Sequence, residues 1–165
     1  MKFLFILLSL WLVAAPASAC LVTQSFTPKG SVESLYATEV LAAKSSIQCS
    51  LYGLSNLALS ADLVTMAQMG VHVQIGIDKA QAANAATKWR TVVAAGGEVR
   101  IKKTSYLEHN KYCVIDGLTL VSGSWNWSQG ASLQDNNGMV VKDCPATVDA
   151  FIADFNRIWL RDKPS

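Results

Sequence analysis

Two histidines in 165 residues is a small number, and no two of the four cysteines have the close spacing of a zinc site. A structural metal therefore has no obvious set of ligands here. Charge is scarce as well, at 16% of residues with a formal net charge of +2. That balance excludes a broad electrostatic footprint, so any anionic ligand has to be held by a local cluster. There is no internal repeat, low-complexity tract or Pro/Gly-rich linker, which argues against an array or a multidomain chain. The one long apolar run, over 3–15, is too short to favour a permanent membrane span.

That run has another reading. Lys2, the apolar stretch and the small residues of Pro16-Ala-Ser-Ala before Cys20 make a secretory signal peptide over 1–19. The remaining residues, 20–165, suit one domain with a substantial core. An exported chain, periplasmic or secreted, has no stable membrane insertion once the leader is cut, and its mature charge is near neutral. A rival reading lipidates Cys20, although Ala17 fits poorly where lipoprotein leaders usually carry Leu. Export permits disulfides, and Cys20, Cys49, Cys113 and Cys144 allow three pairings. Cys20 and Cys144 lie at element edges and are the favoured pair. Cys49 and Cys113 fall inside strands, where buried thiols are as reasonable as a bridge.

Hydrophobic periodicity predicts strands over 21–26, 47–54, 71–78, 98–103 and 137–142. Helices are expected over 31–44, from 55 to Gly70, over 81–95, and from Pro145 onward. Ser31 and Asn56 are natural N-caps, and Gly70 and Gly96 natural stops. His72 alternates with Val71 and Val73 and reads as an ordinary polar strand residue. Strand–helix alternation early, with a hairpin and terminal helix later, implies an α/β fold: a mixed β-sheet sandwiched by helices.

The hairpin carries the chemistry. Two apolar runs, 112–115 and 118–121, are joined by Asp116-Gly117, a strong two-residue turn signal. That turn pairs Ile115 with Leu118, Lys111 with Ser122 and His109 with Ser124. Strand alternation then puts His109, Lys111, Ser124 and Asn126 on one face. Trp125 and Trp127 face the other way, into a core. Arg100, Lys102 and Lys103 make a basic stripe expected beside the hairpin, a candidate track for a nucleic-acid backbone.

The spacing His109-x-Lys111, Asp116 after four residues, then Gly123-Ser124-x-Asn126 after six, resembles the signature of the phospholipase D superfamily. At average composition such a match arises by chance in on the order of one chain in 10⁵. With Phe26-Thr-Pro-Lys-Gly30 ahead of a helix, the chain is similar throughout to the small single-motif, Nuc-like bacterial endonucleases of that superfamily. The resemblance implies an α/β sandwich that works as a homodimer and cleaves phosphodiesters without metal or other cofactor. In that scheme His109 attacks phosphorus, and its mate across a two-fold axis protonates the leaving oxygen. Lys111, Ser124 and Asn126 offset charge on the phosphoryl oxygens, Gly123 supports the turn of the chain, and Asp116 shapes the hairpin.

One position departs from the pattern. Relatives usually carry Glu eleven residues beyond the signature Asn, bonded to the imidazole; here it is Asn137. Either its carboxamide serves, or a small shift brings Asp135 in. Three functions compete: an exported, metal-independent endonuclease acting on DNA or also RNA; a phospholipase D-type lipid phosphodiesterase; and a noncatalytic nucleic-acid-binding domain. The intact His109, Lys111, Ser124 and Asn126 favour the first. The chain shows no amphipathic interfacial helix for the second.

Overall fold

A computed structural model describes residues 19–164. The leader expected over 1–19 therefore falls almost entirely outside the described residues. The chain forms β1 (Leu21–Thr27), α1 (Val32–Ala42), β2 (Ser46–Leu51), α2 (Leu57–Gln68) and β3 (His72–Ile77). Two short helices follow, α3 (Lys79–Ala82) and α4 (Trp89–Ala94), then β4 (Glu98–Ile101). The hairpin is β5 (Lys111–Ile115) and β6 (Thr119–Gly123). A 3-10 turn at Ala131–Leu133, β7 (Asn136–Lys142), α5 (Pro145–Arg161) and β8 (Lys163–Pro164) complete it.

All eight strands join one sheet in the order β1-β7-β6-β5-β2-β3-β4-β8. β2, β3 and β4 run parallel and the other neighbours antiparallel, so the sheet is mixed. The hairpin is central because its strands are buried on both faces. Cys113 and Ile115 enter one core with α1, α2 and α4, while Tyr112 and Val114 enter a second with α5. A strand apolar on both sides has no solvent face, which is why 112–115 reads as a continuous run.

Local chemistry sets the helix ends. Ser31 Oγ accepts from Ser34 N at 3.0 Å, and Asn56 Oδ1 accepts from Leu59 N at 2.9 Å. The single helix expected over 81–95 is instead two. Asn84 Oδ1 takes the Ala86 N–H at 2.9 Å, and Lys88 N donates to Leu54 O, so local bonds displace the helical ladder between them.

The hairpin turn also differs. Asp116 (φ 54°) and Gly117 (φ 67°) are followed by a third loop residue, Leu118, so Ile115 faces Thr119 rather than Leu118. Leu118 is 71% exposed, and leaving it out of the ladder spares the sheet an apolar mismatch. The slip means that His109, Lys111, Ser124 and Asn126 do not meet by sharing a strand face, as simple alternation predicts.

Disulfides join Cys20 to Cys144 and Cys49 to Cys113. The first ties β1 to the start of α5, and its sulfur is not free for the lipid thioether that the rival leader reading requires. The second clips β2 to β5 at directly opposed residues, where buried thiols were an equal expectation. Both fit an oxidising environment. Among the described residues no helix is long and apolar enough to cross a membrane.

Candidate active site

His109 lies just before β5, where the chain comes off a loop that closes over the sheet end. Its exposed ring packs edge-on against Tyr52 at 4.9 Å between centroids. Neither ring nitrogen has a hydrogen-bond partner among the described residues. Lys111, two residues on, donates from Nζ to the His109 carbonyl and sits 5.4 Å from the centre of the Tyr52 ring. Burial pushes the Lys111 ammonium below the usual lysine range, and the nearby Glu108 carboxylate offsets part of that shift.

The second half of the motif leaves the ladder at the end of β6. Ser124 N and Trp125 N both donate to Asn137 O, at 3.1 and 3.2 Å, a bulge of two residues against one. Gly123 permits it: its φ is 153°, and a Cβ there would collide with the Asn137 carbonyl and come within 2.9 Å of Gly138 Cα. Beyond the bulge Trp125 and Trp127 are fully buried around Tyr36, at 5.9 and 5.7 Å between ring centroids. Trp127 O accepts from Ser55 N and Asn56 N, fastening the segment to the loop after β2. Asn126 is thus positioned by two tryptophan anchors on either side, each worth about 3–5 kcal/mol on truncation to Ala. It lines a cavity of about 120 Å³ together with Tyr52, and its Oδ1 is buried without a hydrogen-bond partner. Tyr52 touches the His109 ring and walls this cavity, linking the two halves of the motif.

Other expected site residues lie elsewhere or are otherwise engaged. Ser124 Oγ donates to Asn136 Oδ1 and accepts from Asn137 N, both at 3.0 Å. The Asn137 carboxamide accepts from Ser124 N at 3.0 Å, so it buckles β7 to the bulge, and no bond joins it to His109. Asp135 is exposed in the preceding loop. Asp116 stands at the far end of the hairpin, where its carboxylate accepts from Lys44 N, Ser45 N, Ser45 Oγ and Ser46 N at 2.8–2.9 Å. It is therefore a clasp between the turn and β2 and does not reach the reacting end. Burial pushes the Asp116 carboxyl up, but these donors outweigh it and hold the group below the ordinary aspartate range.

The basic stripe does not form. β4 is separated from β5 by β2 and β3. Arg100 packs over the Trp159 ring at 4.4 Å, and Lys102 is buried with its ammonium 4.1 Å from the Tyr106 ring centre. Only Lys103 of the three is exposed.

A buried polar cluster directly behind His109 escapes sequence reasoning. Glu108, 3% exposed, accepts from Ser50 Oγ at 2.9 Å, Asn110 Nδ2 at 2.8 Å and Arg161 Nη2 at 3.2 Å. Its own N–H donates to Asp78 Oδ2 at 3.0 Å, while Asp78 Oδ1 caps α3. Arg161 also grips Asp162 and reaches Tyr106 Oη. The loop carrying His109 is thereby pinned from β2, α3 and α5 at once. Only the Asp78 cap left a trace in the sequence, as an Asp at the end of an apolar run.

A mixed sheet that delivers an exposed histidine and a lysine from one strand, and a Gly-Ser-x-Asn bulge from its partner, defines a phosphodiesterase of the phospholipase D type. The family model described as cardiolipin synthase, PLD-like domain, matches residues 36–159, and the chain belongs to that phospholipase D superfamily of enzymes. A phospholipase D from Rickettsia bellii is 27% identical over 142 residues, covering 86% of this chain and 69% of the relative. The mitochondrial cardiolipin hydrolase of Danio rerio is 25% identical over 127 residues, 76% of this chain and 56% of that protein. The chain thus spans little more than half the length of that relative. The crystal structure of Nuc from Salmonella typhimurium, a phospholipase D family member, superposes with a TM-score of 0.82 at 22% identity, covering 89% of this chain and 99% of Nuc.

Proposed function

We propose that this phosphodiesterase is an exported endonuclease that hydrolyses DNA, with RNA the alternative nucleic-acid substrate, without a metal, through a phosphohistidine on His109 in a homodimer. The observation that carries the reading is the isolation of His109. Its ring nitrogens are unengaged beside a partly desolvated ammonium, the state required of a nucleophile facing an anionic diester. One ring nitrogen attacks phosphorus as the P–O bond to the leaving group breaks. The expelled oxygen needs a proton from a second acid. The chain's other histidine cannot give it. Register puts His72 beside Ser46, and Lys111 beside Leu51, so the two histidines sit at opposite ends of the sheet, ~17 Å apart along the strands. His72 is moreover bonded to Glu98 at 2.7 Å. A second copy of the chain bringing its own His109 to the axis supplies the acid, and the same imidazole then activates a water that breaks the P–N bond to His109 and releases the strand with a phosphomonoester end. Lys111 and Asn126 hold the phosphoryl oxygens, with the Ser124 N–H segment shaping the rim.

The two disulfides support passage through an oxidising compartment, periplasmic or extracellular, with residues 1–19 as the leader. A lipid substrate is the second reading. It is favoured by the names of the relatives above and by Tyr106 and Leu107, 59% and 58% exposed on the loop leading to His109. Plasmid nicking in excess EDTA, set beside hydrolysis of cardiolipin vesicles, separates the two. Nicking that survives EDTA and disappears in His109→Ala is the expected result. Loss of nicking with EDTA, full activity in a protein that sediments as a monomer, or lipid hydrolysis alone would overturn it.

A further inference from the structure

The cavity beside Asn126 is unlike the rest of the site. The phosphate-facing side has Lys111 and the exposed imidazole, whereas no charged residue lines the cavity. Its walls are the carboxamides of Gln81, Asn84 and Asn126, the hydroxyl-bearing Ser55 and Ser128, and the Tyr52 ring. A phosphate would find no cation there. A quaternary ammonium would find no carboxylate or aromatic cage. An acyl chain would leave Gln81 Oε1 and Asn84 Nδ2, the ends of those carboxamides not already bonded to Tyr52 and Ala86, without partners. Carboxamides pair instead with groups that present a donor and an acceptor side by side, as the edge of a nucleobase does.

Three further observations point the same way. Asn126, assigned above to a phosphoryl oxygen, also lines the cavity, so the phosphate site and the cavity share a wall. Gln81 Nε2 donates to Tyr52 Oη at 3.1 Å, which holds the carboxamide against the ring and leaves the phenol hydrogen free to donate. Gly53 also lines the cavity, and a Cβ there would lie 3.3–3.5 Å from the Gln81 side chain, so the glycine leaves that carboxamide room beside a ligand. The volume, about 120 Å³, holds several waters or one planar ring. Tyr52 is common to the cavity and the His109 contact, so a group seated here is tethered within one nucleotide of the phosphorus under attack.

We propose that this cavity is a nucleobase subsite, in which Gln81 and Asn84 hydrogen-bond the base edge of a nucleotide whose phosphate lies against His109, Lys111 and Asn126. The proposal rests on the endonuclease reading and names the part of the substrate, other than the phosphate, that the enzyme grips. The subsite acts on binding and orientation and leaves the phosphoryl chemistry to His109.

Two chromogenic diesters test it: thymidine 5′-(p-nitrophenyl phosphate), which carries a base, and bis(p-nitrophenyl) phosphate, which does not. Gln81→Ala should lower kcat/KM for the nucleotide ester about tenfold, the weight of one net hydrogen bond, and leave the base-free ester unchanged. Gly53→Val, which crowds the Gln81 carboxamide from the cavity wall, should show the same selectivity, with folding checked by circular dichroism. Equal losses on both esters, or no loss on either, would overturn the subsite while leaving the phosphodiesterase intact. A selective loss on phosphatidylglycerol or cardiolipin vesicles with the nucleotide ester unaffected would assign the cavity to a lipid headgroup and overturn it too. Wild-type protein that hydrolyses the base-free ester but no nucleotide substrate would remove the endonuclease reading, and the subsite with it.

Discussion

Replacing Glu108 by Ala probes how the loop that carries His109 is held. The carboxylate is 3% exposed and takes three donors, from Ser50, Asn110 and Arg161. Truncation leaves the fully buried Ser50 hydroxyl without its acceptor, leaves the Asn110 amide only its longer 3.4 Å bond to Ser50 Oγ, and removes one of the two carboxylates around Arg161. Breaking one partner out of a buried pair costs about 3–5 kcal/mol, because the remaining charge stays desolvated. Arg161 keeps Asp162 at 2.7 Å, so the lower end, about 3 kcal/mol, applies here. In a domain of this size that corresponds to a fall of roughly 6–12 °C in Tm. Urea unfolding of the oxidised protein measures it directly. Glu39→Ala serves as the control, since its carboxylate, 13% exposed, bonds at 2.7 Å to a Lys142 ammonium that is 44% exposed and keeps its water when the partner is removed. A pair with one charge open to solvent contributes about 1 kcal/mol. A double-mutant cycle of Glu108 with Arg161 should return a coupling above about 1 kcal/mol. If Glu108→Ala costs no more than Glu39→Ala, the network does not fix the loop, and the account of how His109 is positioned is wrong.

Asp116→Asn tolerates the positive φ but loses acceptors at the β2 clasp, and should cost about 1–2 kcal/mol by urea unfolding with little effect on KM. The Asp116 carboxyl is held below its unfolded value, so its contribution is complete above the ordinary aspartate range and is lost as pH falls through the lower folded value. The stability deficit of Asp116→Asn should therefore shrink on acidification, and a pH-independent deficit would contradict the clasp. Lys111 is shifted down, so its charge, and kcat/KM with it, should fail on the alkaline side below the roughly 10.4 of an ordinary lysine. Glu108→Gln removes the offsetting charge and should move that limb lower still, as a pH–rate profile will register. Reduction of Cys49–Cys113, which spans 64 residues, should remove about 4 kcal/mol on the chain-entropy account, read as a shift in urea midpoint on adding dithiothreitol to the C20S/C144S protein, which lacks the other disulfide.

The sheet was legible where one physical signal dominated. Continuous apolar runs marked the central hairpin, and Ser31 and Asn56 marked helix starts because each cap is a local bond three residues long. The motif residues His109, Lys111 and Asn126 were legible through their joint spacing. How they meet was not, because two insertions of a single residue decide it. Leu118 adds one to the turn, and Ser124 adds one at the bulge against Asn137. Neither leaves a periodic trace, since a bulge is fixed by which strand lies alongside, and β7 is distant in sequence. The same reasoning explains the failure at Arg100 and Lys102. Their stripe is real in sequence, but β4 pairs with β3, and parallel pairing is set by the crossover through α3 and α4, not by the charges it carries. Glu108 marks the opposite case, a charge whose neighbours Ser50, Asp78 and Arg161 come from three separate elements. Burying it is unfavourable until all of them have assembled, so its place is a property of the finished fold. That dependence ties the candidate site to folding: the loop that carries His109 is correct only when the last helix has docked.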